Sequence, residues 1–286
     1  MIFTTRFAPS PTGPLHLGHA YSALFADALA QQNNGRFLLR IEDIDQSRAR
    51  QEWEQQIFDD LSWLGLSWDR PVLRQSGNLP RYRAALEALW SRGLLFVCHC
   101  NRRDIEQAAA APQEGAPLTG PDGLIYPGTC RDLPRDTRAP LPSGKALRLD
   151  LRAAARHLPP EISFEEKGKG SAPQRITCKT EDVAARTGDV VLCRRDMGTS
   201  YHLSVVLDDA MQEITDVVRG EDLFDATVIH VVLQHLLDLP VPVYHHHRLI
   251  RDDAGKRLAK RDDARAISFF RSEGASPGDI RAMVGL

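Results

Sequence analysis

A chain of 286 residues with an ordinary globular composition can bury the core of one large domain or two small ones. Its formal net charge of −2 excludes a protein that coats nucleic acid non-specifically, so any RNA contact must come from a local arginine cluster. The absence of a run of about 20 apolar residues excludes a membrane helix, Met1-Ile2-Phe3-Thr4-Thr5-Arg6 lacks a signal-peptide pattern, and five cysteines argue against a disulfide framework; a cytoplasmic protein is expected.

Ile2 to Ala8 reads as a short strand, followed by the turn Pro9-Ser10-Pro11-Thr12-Gly13-Pro14. A helix is predicted from about His16 to Gln32, closed by Asn33-Asn34-Gly35. Phe37-Leu38-Leu39-Arg40-Ile41 then reads as a strand buried on both faces. Strand, helix, strand in this order is a βαβ unit and implies a parallel sheet. Helical spacing of Trp53, Ile57, Leu61 and Leu64, and of Leu79, Tyr82, Leu86 and Leu89, predicts two packing helices whose apolar faces are plain core. From Cys98 to about Lys145 the texture becomes rich in Pro and Gly, as in an insertion. Strands are expected at Ala146–Leu151 and Gly188–Leu192, a helix around Leu203–Ala210, a strand at Ile214–Val218, a helix at Thr227–Leu237 and a last strand at Val241–Tyr244. A charged loop, Arg251 to Asp263, precedes two short helical segments.

Three segments carry chemistry. His16-Leu17-Gly18-His19 sits at a strand-to-helix junction, where unpaired backbone N–H groups suit anionic phosphate. His16 and His19 share one face of the first turn and can donate to ATP phosphates, while Gly18 leaves room for a base. Arg40-Ile41-Glu42-Asp43-Ile44-Asp45 ends the second strand, where open α/β sheets bind ligands, and its packed carboxylates suit an ammonium group. Lys256, Arg257, Lys260 and Arg261 form a phosphate clamp or, more plainly, a solvated basic loop. Cys98, Cys100 and Cys130 offer three thiolates for a tetrahedral zinc site. Spacing alone leaves the fourth ligand open, and His99 is strained between two ligands. Tyr244-His245-His246-His247 more plainly ends a strand near the nucleotide, since consecutive strand residues alternate sides.

Arg6 to His19 resembles the HIGH region of glutamyl-tRNA synthetases, and Arg257-Leu258-Ala259-Lys260-Arg261 resembles their KMSKS loop. Tyr201 to Asp209 and Val217 to Asp222 are similar to motifs that lie between these two. Three features look narrower, like the queuosine-directed branch of that family: the chain ends soon after Arg261, leaving no room for an anticodon-binding domain, Ile44 replaces a usual Thr, and Val205 replaces a usual Asn.

The resemblance implies a Rossmann-like α/β catalytic domain of class I aminoacyl-tRNA synthetases, with a zinc-bearing insertion and a short helical C-terminal tail. The expected division is 1–97 and 196–250 for the catalytic halves, 98–195 for the insertion and 251–286 for the basic loop and tail. It implies a glutamate pocket of Arg6, Phe7, Ala8, Pro9, Ser10, Glu42, Tyr201 and Arg219. ATP is expected at His16, Gly18, His19 and Lys260, with His16, His19 and Lys260 stabilising the reacting phosphate. Tyr126 matches a tyrosine zinc ligand of the queuosine-directed branch, giving Cys98, Cys100, Tyr126 and Cys130 for one structural Zn2+. Mg2+ arrives with ATP. The implied activity is activation of L-glutamate by ATP and transfer to queuosine at the wobble position of tRNA(Asp), by a monomer without a membrane partner. The alternatives are a truncated enzyme charging a tRNA 3′ end and a silent RNA-binding paralogue, for which Ala259 in place of serine speaks slightly.

Overall fold

The computed structural model describes residues 2–69, 71–109, 119–168, 173–250 and 266–286. The chain opens with β1 (Thr4–Phe7), α1 (Leu17–Gln32) and β2 (Arg36–Ile41), the predicted βαβ unit, with β1 and β2 parallel. Small side chains on α1, Ala20, Ala23, Ala26 and Ala30, are buried and let the helix lie close to β1. Thr5 Oγ1 donates to the Ala26 carbonyl at 2.9 Å across that contact. The turn out of α1 uses Asn34 in the left-handed region (φ 49°).

Helix α2 (Gln51–Trp63) leads to the two-residue strand β3 (Leu73–Arg74), parallel to β2, and then to α3 (Leu79–Ser91). Strand β4 (Leu95–Cys98) runs into α4 (Arg102–Ala109) and a small hairpin, β5 (Thr119–Gly120) with β6 (Gly123–Leu124). Next come β7 (Ala146–Leu149), α5 (Leu151–Ala155), β8 (Glu161–Glu166), β9 (Gln174–Lys179), α6 (Thr180–Thr187) and β10 (Val191–Cys193). Then follow α7 (Tyr201–Met211), β11 (Asp216–Gly220), α8 (Thr227–Leu236) and β12 (Val243–His247). The tail is α9 (Ile267–Ser272) and α10 (Pro277–Val284).

Strands β11, β12 and β8 are parallel neighbours in that order, with β9 antiparallel at the edge. Strand β1 lies beside β11: the Thr215 N–H donates to the Thr4 carbonyl at 3.0 Å, and Arg6 reaches the Val218 carbonyl at 3.2 Å. Strand order therefore runs outward from the β1/β11 seam in opposite directions. That seam is the topological switch point, where the carboxyl ends of the strands leave a crevice.

Several predicted elements are shifted. The expected strand to Leu151 stops at Leu149, because Asp150 instead caps α5, its side chain accepting from Ala153 N. The expected strand at Gly188 begins at Val191, since Gly188 takes φ +67°. Strand β12 extends through all three histidines. Leu79, assigned to plain core, is 37% exposed at the first position of α3. The β8–β9 hairpin is an element that sequence reading did not anticipate.

One apolar cluster runs from α3 through β4, β7 and β8 into α7, α8 and β12. The stretch 98–195 thus shares its core with the residues on either side. A second cluster joins α1, β2 and α2 to Ile267, Ile280 and Val284 of the tail. No helix among the described residues is long and apolar enough to cross a membrane.

Candidate active site

The crevice at the switch point is a cavity of about 280 Å³. Arg6, Phe7, Ala8, Pro9, Ser10, His16, Gly18, His19, Glu42, Tyr201 and Arg219 all line it, so the expected glutamate and ATP residues among the described ones meet here. Lys260, with Arg257 and Ala259, lies outside the described residues. The described residues that flank 251–265 adjoin the site: Leu249 and Ile250 line the cavity, and Ala266 forms a β-bridge with His16.

The histidine end is built on the start of α1. His16 is the N-cap, not a first-turn residue as expected, and its Nδ1 accepts from the Gly18 N–H at 3.1 Å. His19 Nδ1 accepts from the His16 N–H at 3.1 Å, and the two rings lie 3.8 Å apart. With Nδ1 accepting in both, each neutral ring carries its proton on Nε2 and can donate it. A Cβ at Gly18 would sit 3.0 Å from His16 Cε1, so glycine is what lets the imidazole fold over the helix start.

At the opposite end two buried arginines line the cavity, Arg6 and Arg219, and their partners differ. Arg6 forks onto Asp209, Nε to Oδ1 at 3.0 Å and NH2 to Oδ2 at 3.3 Å. Fully buried Arg40 reaches the same carboxylate at 2.6 Å and Glu42 at 3.1 Å. Burial works against Asp209 ionising, yet Arg6 and Arg40 hold its carboxyl below the usual range. Burial pushes Glu42 up despite the pull of Arg40 and Arg6. Arg219 is different. Its Nε donates to His246 Nε2 at 3.0 Å, NH1 to His230 Nδ1 at 3.0 Å, and NH2 to Thr227 Oγ1 at 2.6 Å and the Leu223 carbonyl at 3.2 Å. None of these acceptors is a carboxylate, although Arg219 is only 6% exposed. Tyr201, also lining the cavity, has its hydroxyl pushed up by burial, so it stays a phenol.

The acidic run at the end of β2 does not act together. Only Glu42 faces the cavity; Asp43 accepts from Ser76 N and Oγ at 2.8 and 2.6 Å, and Asp45 pairs with Arg48 and Ser47. Alternation along the extended chain separates them, and each neighbour found a nearer donor. The three histidines of β12 also part company, as expected: His245 pairs with Asp216 at 2.7 Å, His246 bonds to Glu166, and His247 meets Ser22 at 2.7 Å on the cavity wall. Sequence reading missed Arg40, Asp209, His230 and His246 as supports. The signal for Asp209 was present: two adjacent aspartates that follow the apolar run Val205-Val206-Leu207 in a helix require buried partners.

Away from the cavity, Cys98, Cys100 and Cys130 place their sulfurs within 4.8 Å of one another. Cys100 Sγ lies 3.6 Å from Cys130 Sγ, and the Tyr126 hydroxyl lies 3.6 Å from Cys98 Sγ and 3.5 Å from Cys100 Sγ. A tetrahedron with metal–sulfur bonds of about 2.3 Å and metal–oxygen bonds of about 2.0 Å has edges of roughly 3.5–3.8 Å. Three of the six edges, Cys100–Cys130, Cys98–Tyr126 and Cys100–Tyr126, have those lengths. His99 is exposed and contributes its backbone N–H to Cys130 Sγ at 3.5 Å.

The fold as a whole superposes on the glutamate-tRNA synthetase structure of Elizabethkingia anophelis with a TM-score of 0.76, over all of this chain and 61% of that one, at 24% identity. This is the catalytic architecture of a class I aminoacyl-tRNA synthetase. Residues 3–286 match the family described as tRNA synthetases class I (E and Q), catalytic domain, and the chain belongs to that family. It is 63% identical to the Glutamyl-Q tRNA(Asp) synthetase of Rhodobacter capsulatus, over 99% of each chain. It is 42% identical to the protein of the same name from Nocardia farcinica, over 98% of this chain and 82% of that one.

Proposed function

We propose that this ligase activates L-glutamate with ATP and transfers it to queuosine at the wobble position of tRNA(Asp). The observation that carries the amino-acid assignment is Arg219, a buried cation that faces the cavity and whose hydrogen bonds among the described residues all go to uncharged acceptors, His246, His230, Thr227 and the Leu223 carbonyl. A buried charge without a counter-ion is costly, and a side-chain carboxylate in the cavity removes that cost. Arg6 is already matched by Asp209, so it serves as a hydrogen-bonding wall more than as the primary counter-ion. Glu42 supplies the anion for the α-ammonium. The relatives named Glutamyl-Q tRNA(Asp) synthetase supply the nucleic-acid half of the reading.

In the first step the glutamate α-carboxylate oxygen attacks the ATP α-phosphorus in line. The bond to the β-phosphate breaks, and glutamyl-adenylate and pyrophosphate result. No protein nucleophile takes part; the residues orient and stabilise charge. His16 and His19 donate from Nε2 to the phosphate oxygens, and Lys260 joins them from the basic loop. The adjoining positions of Ile250 and Ala266 support that last role. Mg2+ arriving with ATP neutralises the phosphate oxygens when bound. In the second step a queuosine hydroxyl attacks the adenylate carbonyl, AMP leaves, and the hydroxyl proton passes to solvent or phosphate.

One structural Zn2+ held by Cys98, Cys100, Tyr126 and Cys130 fits the donor spacing and the preference of zinc for thiolate. A cytoplasmic monomer is the accompanying reading. ATP–pyrophosphate exchange across a panel of amino acids tests the first step. Exchange with glutamate, followed by labelling only of queuosine-containing tRNA(Asp), is the expected result. Labelling of unmodified tRNA(Glu) would instead identify a 3′-end charger, and no exchange with any amino acid a silent binder.

A further inference from the structure

Arg219 is held by two imidazoles, and the hydrogen bonds beyond them have a direction. Arg219 can only donate, so His230 must accept at Nδ1 and carry its proton on Nε2. His230 Nε2 lies 3.1 Å from His202 Nδ1, which therefore accepts. His202 then carries its proton on Nε2, 3.1 Å from Asp122 Oδ1. The path Arg219 to His230 to His202 to Asp122 thus has one consistent set of donors and acceptors, with both rings neutral. Burial, reinforced by the charge of Arg219, holds His230 well below the usual imidazole range, which fits a ring that accepts from a guanidinium. On its other side, Arg219 Nε donates to His246 Nε2, and His246 Nδ1 meets Glu166.

Asp122 is the outlying member. It occupies the Pro121–Asp122 turn between β5 and β6, in the stretch 98–195, and is far from the cavity wall in sequence and in chain connectivity. The hairpin packs closely on α6: a Cβ on Gly120 would strike the Arg186 carbonyl near its end. His202 lies in the first turn of α7, so the Asp122 carboxylate also faces the positive end of that helix.

We propose that Asp122, acting through His202 and His230, is a positioning residue for Arg219, so that a hairpin of the insertion sets the selectivity of the amino-acid pocket. The inference rests on the reading of Arg219 as the partner of the substrate's side-chain carboxylate. Without Asp122, His202 loses its fixed tautomer. His230 can then turn its proton toward Arg219, which misplaces the guanidinium without touching the phosphate end of the cavity.

The test is ATP–pyrophosphate exchange with the full-length enzyme. Asp122→Ala should raise the KM for glutamate about 5-fold, the worth of one hydrogen bond, and leave the KM for ATP within about twofold. Asp122→Asn should restore the glutamate KM, because its amide oxygen still accepts from His202 Nε2. The Asp122 side chain is 49% exposed, so these variants fold. An unchanged glutamate KM in Asp122→Ala, an equal rise for ATP, or an Asn variant as impaired as the Ala variant would each overturn the relay. A parent enzyme with no glutamate-dependent exchange would sink the proposed function itself; a parent that exchanges normally beside an unaffected Asp122→Ala sinks the relay alone.

Discussion

Two arginines in one pocket differ in what substitution will do, and the difference lies in their existing partners. Arg6 shares Asp209 with Arg40, and removing it leaves a buried carboxylate half-compensated. Arg6→Ala should cost stability of roughly 3 kcal/mol, read as a lowered midpoint in urea, alongside any loss of glutamate use. Among the described residues, none of the groups that bond Arg219 directly is a carboxylate. Arg219→Lys keeps the charge but loses the fork; it should raise the KM for glutamate at least about 10-fold while the KM for ATP holds, measured by pyrophosphate exchange. Glu42 adds a pH signature. Its pKa is raised by burial, so on acidification it protonates earlier than an ordinary carboxyl and loses its hold on an ammonium group. The KM for glutamate should therefore climb as pH falls, beginning above the usual carboxylate range. Glu42→Gln should show a high KM at all pH values; a parent profile flat through that range would contradict the assignment.

Among the elements, α2 carries an unmatched acid. Asp60 is 1% exposed, its Oδ2 has no hydrogen-bond partner among the described residues, and burial raises its pKa to about 6 against a weaker opposing pull from Arg271 of α9. A carboxyl with a folded pKa above its unfolded value of about 3.9 favours folding only while protonated. Its contribution is full below about pH 4 and is lost as pH rises through about 6. Asp60→Asn should accordingly stabilise the protein by about 1–2 kcal/mol at pH 7.5 and give no gain at pH 4, followed by thermal melts at both pH values. The legibility of elements in the sequence follows the same division between local and distant causes. Phe37 to Ile41 and the alanine face of α1 announce β2 and α1 because the burial pattern is written in adjacent residues. Strand β8 was missed because Ile162 and Phe164 are followed by Glu166, an inward carboxylate whose partner, His246, comes much later in the chain. The pocket shows the same contrast: the motifs brought Arg6, Glu42, Tyr201 and Arg219 together, whereas the ion pairs and imidazoles that fix their orientation depend on the packing of α7 and α8 against the sheet.

For the whole molecule, the question is whether the stretch 98–195 behaves as a separable unit. Its cysteine cluster buries little apolar surface of its own: Phe96, Cys98, Tyr126 and Cys130 form a small group beside the main core. That main core, however, passes without interruption from Leu86 and Leu95 through Leu147, Leu149 and Leu192 to Val206 and Leu233. Strand β8 is also hydrogen-bonded to β12 of the catalytic sheet. A metal bound at Cys98, Cys100, Tyr126 and Cys130 would therefore stabilise a unit whose unfolding is tied to that of the entire chain. Stripping zinc with a strong chelator should lower a single thermal transition by roughly 5 °C or more, on the scale of about 2 °C or more per kcal/mol for a chain of this size. The transition should not split into two, because among the described residues the main core crosses both ends of the stretch 98–195. Metal analysis of the untreated protein should give about one zinc per chain, the number one tetrahedral site holds, and Cys130→Ser should reduce both the zinc content and the melting temperature. A chelated protein that melts in two well-separated steps would show that the insertion folds independently. A protein whose melting is indifferent to both chelation and Cys130→Ser would show that the four donors hold no structural metal.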